Sequence, residues 1–357
     1  VKTWDVIIVG GGIIGLSLSI TLRKRGATVL IVERREPGRE ASHAAGGMLA
    51  DCILETPAAL QALATASACI YPEFVHELQV ESGRNVDLRD QGTILVLSEH
   101  TPAGFPSAEL SAAQLAELEP ALARVTLPAY HLRERSVDPR ALTTAALETA
   151  RRRGVDFSSG DPVTAINIFE GRVTGVIAAR TTFHAAKVVN CAGAWSGQIG
   201  PHAFPTRPVK GQMLSLAAPS RTLLKHVIRA PEVYLIPRSD GRVVVGTTAE
   251  EAGFDKRTDL ATIQRLHRAA VAMVPELQNA KLLEDWAGLR PGTPDALPIL
   301  GATETPGYYV ATGHFRDGIL LAPITAQIMA EIISGTAPSL DLSAFSPSRF
   351  PTHAPSS

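Results

Sequence analysis

Arg290, Tyr234 and Arg316 carry side chains whose chemistry could hold a small anionic substrate. Arg290 stands in Leu289-Arg-Pro-Gly-Thr293, between a tryptophan-containing run and a Gly-Pro turn. A guanidinium is a planar fork that grips a carboxylate through two parallel bonds. Its other use here would be a structural ion pair with Asp285 or Asp295. Tyr234 lies on the strand-like run Val233–Pro237, and its hydroxyl can donate to the same carboxylate. On pattern alone, a strand tyrosine is more often a packing residue. Arg316 follows His314-Phe315 in a loop, where a histidine with no partner in view reads equally well as structural.

A second constellation binds phosphate. Asp5–Val9 is a short apolar run suited to a buried parallel strand. Gly10, Gly12 and Gly15 follow as G-x-G-x-x-G, then helical residues to Arg25, Gly26 just past the helix end, and a second strand, Thr28–Val32, closed by Glu33. Gly10 permits the tight turn, Gly12 lets backbone approach a pyrophosphate, and Gly15 lets helix pack on strand. The helix N-terminus offers free N–H groups to the phosphates, and Glu33 can bond the hydroxyls of an adenosine ribose. Strand, helix, second strand and terminal acid at this spacing predict a dinucleotide site. They do not separate FAD from NAD.

Bulk properties narrow the class. The chain has 357 residues, 45% of them hydrophobic, with a formal net charge of −1. That length allows two domains with sizeable cores. Near-neutral charge argues against nucleic acid or an anionic membrane surface as partner. No apolar run approaches a membrane span. The chain enters a strand at once, so no signal peptide is expected, and Val1 is expected to stand where an initiator was removed or an alternative start codon was read. Cys52, Cys69 and Cys191 show no metal spacing and read as small buried hydrophobes in a reducing, cytoplasmic setting.

The elements that must position these residues follow in order. Arg34–Gly47 reads as a loop in which Ser42, Ala44, Ala45, Gly46 and Gly47 are small enough for a flat ring to lie against backbone. Helical patterning over Leu60–Val80 should break at Pro72. Gly92–Leu97 reads as a strand. Ser111 and Gln114 form a capping-box pattern opening a helix that ends at Pro120. Asp138-Pro139 caps a helix over Arg140–Arg153. Val163–Phe169, Arg172–Ala178 and His184–Asn190 read as a β-meander, with a turn at Glu170-Gly171. Strands are expected at Gln212–Leu216, Val233–Pro237, Arg242–Thr247, Trp286–Gly292 and Tyr308–Ala311. Helices are expected over Asp259–Met273 and from about Ile319 to Ile333. The tail from Pro338 should fray.

Four stretches together resemble one family: the Gly10 loop with Glu33, Ser42-His-Ala-Ala-Gly-Gly-Met-Leu, Val188-Val-Asn-Cys-Ala-Gly-Ala-Trp-Ser, and the pair Trp286-Ala-Gly-Leu-Arg-Pro-Gly-Thr with Gly313-His-Phe-Arg-Asp-Gly-Ile-Leu-Leu-Ala-Pro. The chain resembles the D-amino acid oxidase superfamily of FAD-dependent amine oxidases, and within it the glycine oxidase family of thiamine biosynthesis. The similarity runs from Asp5 to about Ile333. It implies an α/β (α+β) two-domain flavoprotein. A discontinuous Rossmann-like FAD-binding domain would comprise residues 1–80, 140–204 and 283–357. A mixed-sheet substrate-binding domain would comprise residues 81–139 and 205–282. FAD would be noncovalent, as fits the lack of any cysteine after Cys191.

The resemblance also implies residue roles. FAD would be held by Gly10, Gly12, Ile13, Ile14, Gly15, Glu33, Arg34, Ser42, Ala45, Gly46, Gly47, Met48, Val163, Ala192, Gly193, Trp195, His314, Phe315, Arg316, Asp317, Gly318 and Ile319. Arg290 and Tyr234 would bind the substrate carboxylate, with Arg316 orienting Tyr234 or the substrate. The helix after Gly318 would aim its N–H groups at the flavin pyrimidine edge, with Gly313 and Gly318 permitting the close approach. Met48 and Ala249 would line the substrate pocket, and an alanine where a relative carries a bulky methionine would widen it to sarcosine and small D-amino acids. The implied reaction is hydride transfer from glycine to flavin N5, giving an imine that yields glyoxylate and ammonia or feeds thiazole synthesis, with O2 reduced to H2O2. The rival readings are a D-amino acid dehydrogenase using a quinone or other acceptor, an NAD-dependent dehydrogenase, and a flavin-binding module without catalysis. A homo-oligomer, as a tetramer, and a thiazole-forming partner complete the expectation.

Overall fold

The computed structural model describes residues 2–51, 56–99, 105 and 107–350. At its centre lies a six-stranded sheet in the order Ile299–Ala302, Tyr308–Thr312, Val188–Asn190, Val6–Val9, Val29–Glu33, Asp156–Ser159. Neighbours are parallel except the first pair. The inner strands are mostly apolar because both faces are covered, whereas the edge strand Asp156–Ser159 is polar and only partly buried. Val6, Ile8, Val29 and Ile31 pack under the helices Ile13–Lys24, Gln61–Ser82, Pro139–Arg152 and Gly318–Ile333. Ile7, Val9, Leu30 and Val32 pack on a second layer, the sheet Thr3–Trp4, Thr182–Ala185, Arg172–Ala178, Val163–Phe169.

A seven-stranded sheet lies apart from this layer, ordered Lys281–Gly292, Arg207–Ala217, Arg242–Gly246, Tyr234–Pro237, Val227–Arg229, Thr93–Val96, Ala129–Leu132. It is mixed: Val227–Arg229 runs parallel to Thr93–Val96, and the other pairs are antiparallel. Alternation divides its faces. Leu214, Leu216, Leu235, Val243 and Val245 pack under the helices Ala112–Leu118 and Leu260–Met273. Met213, Val227, Tyr234, Ile236, Val244 and Trp286 form the other face. Ser111 closes the expected capping box with Gln114, and Asp138 caps Pro139–Arg152 through the N–H groups of Arg140 and Ala141.

Several expectations need correction. Gln61–Ser82 runs unbroken through Pro72. The carbonyl that Pro72 leaves without its N–H belongs to Ala68, and the Arg135 guanidinium donates to it at 3.1 Å. The run His184–Asn190 is two strands in two sheets, Thr182–Ala185 and Val188–Asn190. The chain changes layers at Ala186-Lys187, where the Lys187 ammonium is tied to the Ile333 carbonyl at 2.7 Å. Arg34–Gly47 contains a short helix, Ala41–Ala44. The tail is anchored as far as position 350: Phe345 is buried, and Arg349 pairs with Asp295 at 2.8 Å. Cys191 is buried but Cys69 is exposed, on the outer side of its helix. Cys52, Val1 and residues 351–357 lie outside the described residues. No helix among the described residues is long and apolar enough to cross a membrane.

Candidate active site

The C-terminal ends of three neighbouring parallel strands, Val6–Val9, Val188–Asn190 and Tyr308–Thr312, open on one cavity of about 910 Å³. Its opposite wall is the mixed sheet, through Gly211, Met213, Tyr234, Gly246 and Arg290. This is the crevice where open α/β sheets bind ligands.

At one end the Gly10 loop enters the helix Ile13–Lys24. Gly10 has φ +105°, and a Cβ there would stand 2.5 Å from the Cys191 carbonyl oxygen. Gly15 sits against the Gly10 carbonyl, where no side chain fits, so it packs the helix and does not line the cavity. Gly12, the N-cap, offers no side-chain bond to the first turn, and no acidic residue occupies that turn. The Ser42 hydroxyl accepts from Ile13 N at 2.9 Å. Glu33 is buried, and its two oxygens accept from Gly11 N at 2.7 Å and Arg35 N at 3.0 Å. Burial pushes its carboxyl above the ordinary value, against the pull of those two bonds. The Arg34 guanidinium lies 4.2 Å from the centre of the Trp195 ring, a cation–π contact at the cavity wall.

The walls between the two ends include Ile14, Ala45, Met48, Val163, Ala192 and Gly193. Gly46 and Gly47 are not among the lining residues. They seat their segment on neighbouring strands: a Cβ on Gly46 would come within 2.8 Å of Ile236, and Gly47 has φ +79° against the Val137 carbonyl. Buried Arg238, which the sequence reading missed, donates to the carbonyls of Gly46 and Val137 at 2.6 and 3.0 Å. Burial lowers its pKa to about 10.

At the other end, Arg290 projects from the strand Lys281–Gly292. Neither expected ion-pair partner takes it: Asp285 accepts from the Thr258 hydroxyl and Asp295 pairs with Arg349. Its Nη1 donates to the Thr248 carbonyl at 3.1 Å and its Nη2 to the Thr247 hydroxyl at 2.9 Å. Tyr234, half-buried, stands opposite Gly246, and Gly246 opposite Met213, so both neighbours flank the phenol. Arg316 is exposed at the rim, its guanidinium 5.5 Å from the Phe315 ring centre. Ala249 is exposed and outside the cavity. Glu250 and Lys210 exchange backbone bonds in both directions at 2.9 Å, and Ala249, which precedes Glu250, faces solvent. The pocket-widening argument from Ala249 therefore fails, and Thr247 is the residue of that segment that lines the cavity.

The last wall is the loop 312–318 and the helix Gly318–Ile333, with His314, Phe315, Arg316, Asp317, Gly318 and Ile319 all on the cavity. Gly313 has φ +73°, and a Cβ there would stand 2.5 Å from Thr293; at Gly318, which lines the cavity, the nearest protein atom would be at 3.4 Å, so protein packing alone requires glycine only at Gly313. His314 is buried, with Nε2 3.1 Å from the Thr325 hydroxyl. Burial pushes its pKa down to about 3, so the ring is neutral.

This donor set fits a flavin dinucleotide. Two helix N-termini without acidic first-turn residues open on one cavity. One suits a pyrophosphate and the other an electron-rich ring edge. Glu33 stands where an adenosine ribose would lie beside the first.

Comparison with known proteins agrees. The family model described as DAO, FAD dependent oxidoreductase, matches residues 5–332. The bifunctional protein ThiO/ThiG of Synechocystis is 35% identical over 98% of this chain and 54% of its own length, so the chain spans about half of that relative. The hydrogen cyanide synthase subunit HcnC of Pseudomonas aeruginosa is 32% identical over 98% of this chain and 97% of its own. The crystal structure of glycine oxidase from Geobacillus kaustophilus superposes with a TM-score of 0.93 at 30% identity, covering 98% of this chain and 100% of that one.

Proposed function

The chain belongs to the DAO family of FAD-dependent oxidoreductases, and from that membership we propose that it oxidatively deaminates glycine; the wider range of sarcosine and small D-amino acids loses its support with Ala249 outside the cavity. The observation that carries this reading is Arg290, held by Thr247 and Thr248 on the wall of the cavity whose far end is the Gly10 loop. It is an anchored cation facing an enclosed space, with no carboxylate of the chain bonded to it among the described residues.

FAD, when bound, supplies the two-electron acceptor for oxidation of the C–N bond. Gly10, Gly12 and the start of the helix Ile13–Lys24 would hold its pyrophosphate, Glu33 its ribose, and the Gly318 helix N-terminus its ring edge. Arg290 binds the substrate carboxylate bidentately, and the Tyr234 hydroxyl donates a further bond to it. Met48 and Met213 line the same cavity beside Tyr234 and Arg290 and would bound the space left around the substrate Cα. Neutral His314 is bonded to Thr325 and carries no proton for the reaction. No side chain is assigned as a general base, so the amine must arrive unprotonated. Loss of two electrons and two protons gives the imine, and water converts it to glyoxylate and ammonia. Oxygen taking those electrons gives H2O2.

The cofactor half would comprise residues 1–80, 140–204 and 283–357, and the substrate half residues 81–139 and 205–282, although the whole strand Lys281–Gly292 pairs with Arg207–Ala217 in the mixed sheet, so residues 283–292 go with the substrate half. Likeness to a ThiO/ThiG protein supports a role feeding the imine to a thiazole-forming partner. A homo-oligomer, as a tetramer, would follow from the resemblance alone, and a cytoplasmic setting from the cysteine usage alone. The likeness to a hydrogen cyanide synthase subunit keeps a second reading in view, in which a quinone or other acceptor replaces oxygen.

The deciding experiment mixes the purified holoprotein with glycine, sarcosine, D-alanine and D-proline without air, follows flavin absorbance, and then admits oxygen. Bleaching by glycine followed by peroxide supports the proposal. Bleaching without peroxide moves the acceptor, and no bleaching by any of the four sinks the amino-acid reading.

A further inference from the structure

The geometry points to Thr247 as a positioning residue that aims the Arg290 guanidinium at the substrate carboxylate, with Gly211 supplying the gap in which that guanidinium lies. The inference rests on Arg290 being the carboxylate anchor.

Thr247 follows the strand Arg242–Gly246 at the cavity wall. Its hydroxyl has both roles filled: it donates chiefly to the Gln212 carbonyl at 3.1 Å, with the Thr248 carbonyl a more distant acceptor at 3.4 Å, and accepts from Arg290 Nη2 at 2.9 Å. The first bond fixes where the oxygen's lone pairs point, so the acceptor offered to Arg290 is oriented. The Thr248 carbonyl takes Nη1 at 3.1 Å, and Thr248 is itself held by Gln212 N, which donates to its hydroxyl at 2.9 Å. Gln212 in turn accepts from Asp259 N at 2.7 Å. The guanidinium is therefore fixed by one hydroxyl and one carbonyl on a bonded strand edge. A guanidinium has five N–H donors; these bonds use two and leave three for a ligand.

Gly211 completes the seat. A Cβ there would come within 2.5 Å of Arg290 Nη2 and 2.6 Å of its Cζ, and would also meet Nη1. The guanidinium thus lies across the strand Arg207–Ala217 at its one position without a side chain. Arginine loses much rotamer freedom when ordered. Here that ordering occurs on folding, before substrate arrives, and a preorganised anchor binds more tightly for the same contacts.

The test compares wild type with Thr247→Val, Thr247→Ser and Gly211→Ala as holoenzymes. It measures steady-state kinetics with glycine and the dissociation constant of acetate from its perturbation of the flavin spectrum. Thr247→Val keeps the shape and removes the acceptor. It should raise the glycine KM and the acetate Kd together, by about tenfold, with kcat within about twofold. Thr247→Ser should restore both, and Gly211→Ala should weaken acetate binding with Thr247 intact. Wild-type acetate binding in Thr247→Val, a fall in kcat without a rise in KM, or failure of Thr247→Ser to rescue would overturn the assignment. The Arg290 reading fails separately: then Arg290→Met binds acetate and turns over glycine as wild type does, whatever Thr247→Val shows.

Discussion

The Tyr71 hydroxyl donates to the Ile319 carbonyl at 3.1 Å, and that carbonyl is the one Pro323, four residues on in the same helix, has no N–H to satisfy. Ser67 donates to the next carbonyl, that of Leu320, at 2.6 Å. The helix that points its N-terminus into the cavity is thus pinned by side chains of Gln61–Ser82. Tyr71→Phe removes one bond and leaves a buried carbonyl unpaired. It should cost about 1–3 kcal/mol, seen as a lower urea midpoint at unchanged m-value. Burial pushes the Tyr71 phenol far above its ordinary pKa, so this donor persists at any working pH.

Arg290→Met should lower kcat/KM for glycine by about a hundredfold or more, since it strips the only charge given to the carboxylate. Tyr234→Phe removes one neutral donor to an anion and should cost about tenfold. Steady-state kinetics on both variants check the order; an Arg290 variant as active as wild type would remove the anchor from the mechanism.

Glu33→Gln tests the dinucleotide end. Both carboxylate oxygens accept backbone N–H groups. An amide offers one oxygen and turns an NH2 group toward a donor. FAD affinity should fall by about tenfold, on the scale of one lost buried bond. Fluorescence recovery of released flavin would measure it, and unchanged affinity would show that Glu33 serves the loop alone.

His314 gives the site a pH dependence with a definite sign. Its folded pKa is about 3 and its ordinary value 6.5. Between those limits the unfolded chain binds a proton that the folded chain refuses. Stability is therefore full above about pH 6.5 and declines as pH falls toward about 3. His314→Gln keeps a polar group near Thr325 and removes the titration. Its urea midpoint should change less than that of wild type between pH 7 and pH 5, and parallel losses would contradict the assignment.

Local chemistry made much of this legible. The Gly10 turn, the caps at Ser111 and Asp138 and the strand around Tyr234 all act over a few residues, and each stands where the sequence places it. The misses share a different cause. Pro72 should break its helix, but Arg135, remote in sequence, satisfies the orphaned carbonyl. Gly46 and Gly47 look like room for a ring, yet they answer to Ile236 and Val137. Ala249 sits one residue beyond Thr248 and next to the bridge between Lys210 and Glu250, and it faces outward. Thr247 carries no sequence signal, because its role exists only once two strands lie side by side.

A cavity walled on one side by the parallel sheet and on the other by the mixed sheet exists only while the two are docked. Whatever fills it joins them, and by mass action it favours the docked form over every open one. A flavin present at a hundred times its dissociation constant adds about 2.7 kcal/mol to the folded state. Stripped of flavin, the chain would lose that increment and unfold at a lower urea concentration.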